Sequence, residues 1–261
     1  FARHLEMENQ EDAKTAVIMG LKERGLLDDV DKHRGGESVE DLVQRFLVAR
    51  KYKVSDALAM LVEDLEWRKK EDLIGLRMST AMQMLKGQSN PAGKELHDSM
   101  FPHGLLGFDY KNRPILYKWF GKPFSAQKMQ DEASLTVEEL VRYHLWTVER
   151  LAASMDHKGQ WVSIIDLQGW NLGHFTSLHM KYVKGLIDID SNHYPERLGK
   201  VFIVNVPSVF SACWRMVQMW LDAETRAKIG LFSSPAKWQE AMGRELAVEL
   251  LPEHLGGRAR L

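Results

Sequence analysis

The chain has 261 residues, with 35 basic and 36 acidic side chains and a formal net charge of −1 at pH 7. That balance gives no sequence-wide attraction to nucleic acid; a single cysteine, Cys213, permits no intramolecular disulfide and fits a reducing compartment. No apolar run approaches the roughly 18 residues of a membrane span, and the length suits a large core, or one main domain with a small appended one. The polar start, FARHLEMENQEDAK, does not read as a signal peptide. It lacks an initiating Met, so a truncated start is expected.

To about Leu73 the pattern predicts helix throughout. Val17 and Leu21 fall on one face of a first helix that ends near Gly25. Ser38 followed by Asp41 predicts a helix start of the capping-box kind, with Leu42, Phe46 and Leu47 facing inward. Ser55 is the predicted cap of the next helix, whose apolar face is Leu58, Leu61, Val62 and Leu65. Residues 86–93, KGQSNPAG, have loop composition. The run DYKNRP, Asp109 to Pro114, predicts a turn before a strand at Ile115–Trp119, and Asn112 tolerates left-handed backbone. A long helix is predicted over Val137–Met155, with Val141, Leu145, Val148, Leu151 and Met155 inward. Then come a strand at Trp161–Leu167, a helix around Leu178–Ile187, a strand at Lys200–Val206 and a short strand at Ile229–Phe232. Apart from Lys200 and Asn205 the Lys200–Val206 run is apolar, which suits a strand buried on both faces. Strands alternating with helices predict βαβ units, a mostly parallel sheet and right-handed crossovers. The fold class is therefore α/β, preceded by a helical bundle.

The stretch Val209–Leu221 has only three polar residues, Ser211, Arg215 and Gln218, which form one narrow stripe on a helix. An ordinary surface helix has one apolar face; this one has two. It fits either a central core helix or a lid that meets lipid on one side and protein or membrane on the other.

Catalytic patterns are missing from the sequence. There is no G-x-S-x-G elbow, no phosphate-cradling loop and no dinucleotide glycine fingerprint. Cys213 lies in a strongly apolar helix and reads as structural. The ten histidines show no metal-ligand spacing. These observations favour a binding protein over an enzyme, with no cofactor or metal.

Three linked motifs carry a resemblance. They are Tyr194-Pro195-Glu196-Arg197-Leu198-Gly199-Lys200, then Ile203-Val204-Asn205-Val206-Pro207, then Leu221-Asp222 with Thr225, Lys228 and Ile229. In order and spacing they resemble the CRAL-TRIO lipid-binding family, and more narrowly its Sec-fourteen-type phosphatidylinositol-transfer branch. The N-terminal helices are similar to that family through Arg45-Phe46-Leu47, Ala49-Arg50-Lys51, Val54 and Trp67-Arg68-Lys69; the tail is similar through Leu251-Pro252 and Gly256-Gly257. The resemblance implies an N-terminal helical region at 1–75, a linker at 76–94 and a lipid-binding domain at 95–261. That domain would be a curved, mainly parallel sheet under a lipid cavity, covered by a gate helix with Phe210, Trp214, Val217, Trp220 and Leu221.

The resemblance also implies a head-group site. Glu196 would accept from inositol hydroxyls, Thr225 and Lys228 would hold the phosphate and ring, and Arg50 with Lys51 would be the family's N-terminal Arg-Lys pair. Blander readings stand beside these: a structural Glu196–Arg197 ion pair, a solvated Lys228, and positive charge at a helix end for Arg50 and Lys51. A few relatives hold haem, which would draw in His174 or His179, although packed or solvated histidine is the simpler reading. Relatives that carry phosphatidylcholine as a second lipid use small hydroxyl residues on the strand before the Asp position. Trp161 and Ser163 stand there, and the bulk of Trp161 should obstruct choline.

The implied function is binding of phosphatidylinositol and its transfer between membranes or presentation to a phosphoinositide kinase. It would be performed by a cytoplasmic monomer acting peripherally at membrane surfaces. Alternatives are a carrier of a sterol-like, tocopherol-like or haem ligand, and an interaction module with an occluded pocket.

Overall fold

Apolar residues at helical spacing build the first of two compact units. These units are Phe1–Met78 with Asp156–Gly159 and Asp190–Arg197, and Ser79–Met155 with Gln160–Ile189 and Leu198–Leu261. The structure is a computed structural model that describes residues 2–80, 91–121, 125–155 and 159–260.

The first unit contains α1 (Ala2–Glu23), α2 (Leu27–His33), α3 (Val39–Ala49), α4 (Val54–Lys70) and α5 (Leu73–Met78). Val17 and Leu21 of α1 meet Val30, Phe46, Leu47 and Leu61 in one fully buried core. Each such side chain contributes about 1.5–3 kcal/mol of burial. Ser38 caps α3 as expected, accepting from the Asp41 N–H at 3.0 Å. The expected cap at Ser55 is wrong by two residues: Lys53 is the N-cap of α4 and makes no side-chain cap bond. Ser55 lies in the first turn, where its hydroxyl donates to Asp56 instead.

The second unit is built on a sheet in the order β1-β2-β3-β4-β5. Its strands are β1 (His103–Phe108), β2 (Pro114–Trp119), β3 (Trp161–Asp166), β4 (Leu198–Val204) and β5 (Ile229–Leu231). β1 and β2 form an antiparallel hairpin, and all later pairs are parallel. The hairpin turn uses Asp109, whose carboxylate accepts from the N–H groups of Lys111 and Arg113. Asn112 takes the left-handed conformation there, at φ 60°.

The helices of this unit are α6 (Pro91–Met100), α7 (Ala126–Ala133), α8 (Val137–Ala153), α9 (Ser177–His193), α10 (Phe210–Val217), α11 (Ala223–Ala227) and α12 (Pro235–Gly243). The residues of α9 from Asp190 onward group with the first unit. The loop expected at 86–93 is corrected in part. Pro91 opens α6, a position where its missing N–H costs no hydrogen bond; residues 86–90 lie outside the described residues. α8 starts on a full capping box between Thr136 and Glu139 and buries Leu145, Val148 and Leu151, with Val141 half-buried; it stops at Ala153, short of the expected end, so half-buried Met155 lies beyond it.

The two sheet faces explain the apolar run of β4. Phe202 and Val204 join Ile115, Tyr117, Val162 and Ile164 against Trp238 and Met242 of α12. Val201 and Ile203 point the other way, into a cluster with Leu167, Trp170, Phe210 and Cys213. Among the described residues, no helix is long and apolar enough to cross a membrane.

Candidate functional site

In the first unit, α9 ends at His193 and the chain turns through Tyr194–Arg197. The His193 ring stacks on Trp67 with centroids 3.5 Å apart, and its Nδ1 lies 2.8 Å from Oδ1 of buried Asp64. The other Asp64 oxygen accepts from Arg68 at 2.7 Å, and the Arg68 guanidinium sits over the Tyr194 ring. Arg45 holds Glu37 through two nitrogens, at 2.7 and 2.6 Å, and donates through a third to the Pro195 carbonyl at 2.9 Å. Arg197 pairs with the same Glu37 at 2.9 Å and donates to the Gly159 carbonyl. Burial, with the Arg45 charge beside it, pulls the Arg197 guanidinium down to about 10, against the opposing pull of Glu37. Between these anchored neighbours, half-buried Glu196 adopts φ 60°. A non-glycine residue in a sparsely populated backbone region costs about 1–3 kcal/mol, which its surroundings must offset.

Arg50 and Lys51 lie elsewhere in this unit, at the end of α3. Arg50 is the C-cap and is half-buried; Lys51 is exposed at φ 51°. Positive charge at a helix C-terminus is favourable there in its own right.

In the second unit, Asp222 caps α11. Its carboxylate accepts from the Thr225 N–H at 2.9 Å and from the Thr225 hydroxyl at 2.6 Å. Burial alone would raise the Asp222 pKa, but the Thr225 hydrogen bonds prevail and hold it below the usual value. The Thr225 hydroxyl proton is thus committed to Asp222, leaving its oxygen able to accept. Half-buried Lys228 ends the same helix, donating its N–H to Thr225 O. Its carbonyl accepts from Val201 where β5 joins β4. Thr225 and Lys228 are therefore brought together, on the short link into β5.

The gate segment differs from the expected single helix over Val209–Leu221. α10 covers Phe210–Val217, a 3₁₀ turn covers Gln218–Trp220, and Leu221 is extended at ψ 137°. Trp220 and Leu221 are thus outside the α-helix. The cause is the next helix: Asp222 must be extended to serve as its cap. Phe210 and Cys213 form the buried inner face of the segment, with Trp214 and Val217 packed against the same cluster. The outward apolar residues are Val209, Met216 and Met219, the last 73% exposed. The second apolar face exists, but Trp214 is not on it. Burial pushes the Cys213 thiol up to about 11.

On β3, Trp161 is fully buried and Ser163 half-buried. Ser163 pairs with Val201, so it lies on the sheet face that carries the gate-side cluster. Gly199 is the extra residue of a bulge opposite Trp161 and Val162. A Cβ at Gly199 would lie 2.9 Å from Arg113 Nη1 and 3.0 Å from Trp161 O, so a side chain there would press on both neighbours. His179 is occupied, with Nε2 accepting from the Ala126 N–H and Nδ1 at 2.8 Å from Thr176 Oγ1; His174 caps a 3₁₀ turn.

Sequence reasoning gave no role to Glu37, Asp64 or His193. Asp64 did leave a signal, because it sits in the apolar stripe between Leu61 and Leu65. A carboxylate at such a position needs a buried partner.

Residues 98–257 match the family model of the CRAL/TRIO domain. The chain belongs to the CRAL/TRIO domain family. Among the relatives of this CRAL/TRIO chain is "Protein real-time" of Drosophila melanogaster, 29% identical, with 91% of this chain and 35% of the relative aligned. Another is the phosphatidylinositol/phosphatidylcholine transfer protein SFH12 of Arabidopsis thaliana, 30% identical over 83% of this chain and 39% of the relative. The chain therefore spans little more than a third of either. A crystal structure of Sfh5 shares the CRAL/TRIO fold at a TM-score of 0.64 and 18% identity, over 88% of this chain and 83% of that one.

Proposed function

We propose that this CRAL/TRIO chain binds phosphatidylinositol, shields its acyl chains, and either transfers it between membranes or presents it to a lipid kinase. The chain acts as a carrier rather than as an enzyme. The observation that carries the reading is Thr225 and Lys228 brought together on the short link into β5, in a chain whose relatives include a named phosphatidylinositol/phosphatidylcholine transfer protein. Acyl chains gain about 0.8 kcal/mol per buried methylene, but a buried head group needs a partner for each polar atom. Glu196 is an acceptor suited to ring hydroxyls; Lys228 is a cation suited to phosphate. The apolar exposed residues of the gate segment suit a transient encounter with a membrane.

Phosphatidylcholine is the poorer ligand in this reading, because the buried indole of Trp161 stands beside Ser163. Vesicle transfer of the two lipids, with mass spectrometry of co-purifying lipid, tests the proposal. Lys228→Ala should lose phosphatidylinositol transfer while remaining folded, since a hydrogen bond to a charged group contributes about 1.5–3 kcal/mol. Transfer equal to wild type would remove Lys228 from the site. Trp161→Ser should raise choline-lipid transfer, and no rise would defeat the steric explanation.

A further inference from the structure

We infer that the N-terminal helices set head-group discrimination, because the Arg45–Glu37–Arg197 cluster fixes the backbone of Glu196. The inference rests on the reading of Glu196 as the acceptor for ring hydroxyls. Glu37 and Arg45 lie outside the matched span 98–257, whereas Glu196 lies inside it. Yet Asp190–Arg197 belongs to the same compact unit as the N-terminal helices.

The argument is geometric. Glu196 has φ 60° and lacks the glycine backbone that makes this conformation easy. The residue before it is fixed by its ring and by Arg45, which donates to the Pro195 carbonyl. The residue after it is fixed at both ends of its guanidinium, by Glu37 and by the Gly159 carbonyl. Further back, His193 is held by Asp64 and Trp67. Restraints on both sides leave little freedom for the peptide planes of Glu196. Arg45 is the joint of this arrangement, because one planar fork holds the Glu37 carboxylate and the Pro195 carbonyl together. Lysine has the charge but not the fork. A carboxylate that must meet hydroxyls at hydrogen-bond distance is sensitive to such positioning; acyl-chain burial is not. Loosening the cluster should therefore affect the choice between head groups more than the capacity to carry lipid.

The experiment uses the full chain and vesicles containing phosphatidylinositol or phosphatidylcholine, with thermal unfolding recorded in parallel. Arg45→Lys should lower the phosphatidylinositol-to-phosphatidylcholine ratio about tenfold, the scale of one hydrogen bond to a charged group, and leave phosphatidylcholine binding unchanged. Glu196→Gln should lower the ratio similarly, and the double variant should add little, because both changes act on one contact. Glu37→Gln, which keeps the side-chain shape, provides the same reading if Arg45→Lys does not fold. A purely structural cluster would instead lower the binding of both lipids together and leave the ratio intact; that result overturns the inference. An unchanged ratio in Arg45→Lys beside a lowered one in Glu196→Gln overturns the clamp alone. An unchanged ratio in Glu196→Gln removes the reading of Glu196 and the inference with it.

Discussion

The turn at Tyr194–Arg197 and the gate segment at Phe210–Leu221 hold their shapes by opposite means. The turn is fixed by full charges taken out of water: Glu37, Asp64, Arg68 and Arg197 are each no more than 5% exposed. The gate segment has no side-chain cap at the start of α10, lapses into a 3₁₀ turn, and is held from below by apolar contact. Its firm electrostatic element is the Asp222 cap that stops it. Paired charges are directional and leave a group stranded when one partner is lost. Apolar contact is non-directional and tolerates sliding. One region is thus suited to precise recognition, the other to movement.

The contrast breaks most visibly at Asp64. Asp64→Ala removes the carboxylate that Arg68 and His193 share. Losing one partner of a buried ion pair should cost about 3–5 kcal/mol in chemical denaturation. A loss below about 1 kcal/mol would show that the charges do not hold the turn. Asp222→Ala should cost less, about 1 kcal/mol, the usual value of an N-cap, and should raise amide exchange in α11 and Gln218–Leu221. The pH dependence has a definite sign. The Asp222 pKa is lowered from 3.8 in the folded state, so its contribution is present above that value and fades as the pH falls below it. Protection of the α11 amides, taken as exchange relative to the intrinsic rate at each pH, should fall in acid in the wild type but not in Asp222→Ala. The smallest stability effect is expected at Met219, which is largely exposed. Met219→Asp should change unfolding by no more than about 0.5 kcal/mol. It should nevertheless slow vesicle transfer without weakening lipid binding in detergent. Exchange as slow in α10 as in β4, with and without vesicles, would deny the segment its mobility.

What was legible in the sequence follows the same division. The β4 run declared itself because both faces meet apolar clusters, and the hairpin because Asp109 and Asn112 each have a local role. The helical start was legible through Val17 and Leu21, Leu42 and Phe46, and Leu61 and Leu65, each pair four apart on the buried face of its own helix. The end of the gate helix was not, because periodicity continued through Trp220 while Asp222 claimed the chain for the next helix. The motif residues Thr225 and Lys228 came together because they share one short helix. The cluster around Glu196 was least legible: Arg45 meets Pro195 across 150 positions, and Asp64 meets His193 across 129. No local pattern encodes such a pairing.

The gate segment also contains its own chemical reporter. Cys213 is buried on the inner face of α10, in one cluster with Phe210, Val201 and Ile203, and its thiol pKa is raised to about 11. At pH 7 only about one thiol in 10,000 is ionised, and only the thiolate attacks an alkylating reagent. Lifting the segment would expose the sulfur and return its pKa toward the ordinary range of about 8.5. Both changes accelerate alkylation. Because this is the chain's only cysteine, the labelling rate of unmodified protein would count openings directly, and adding vesicles would show whether a membrane surface prompts them.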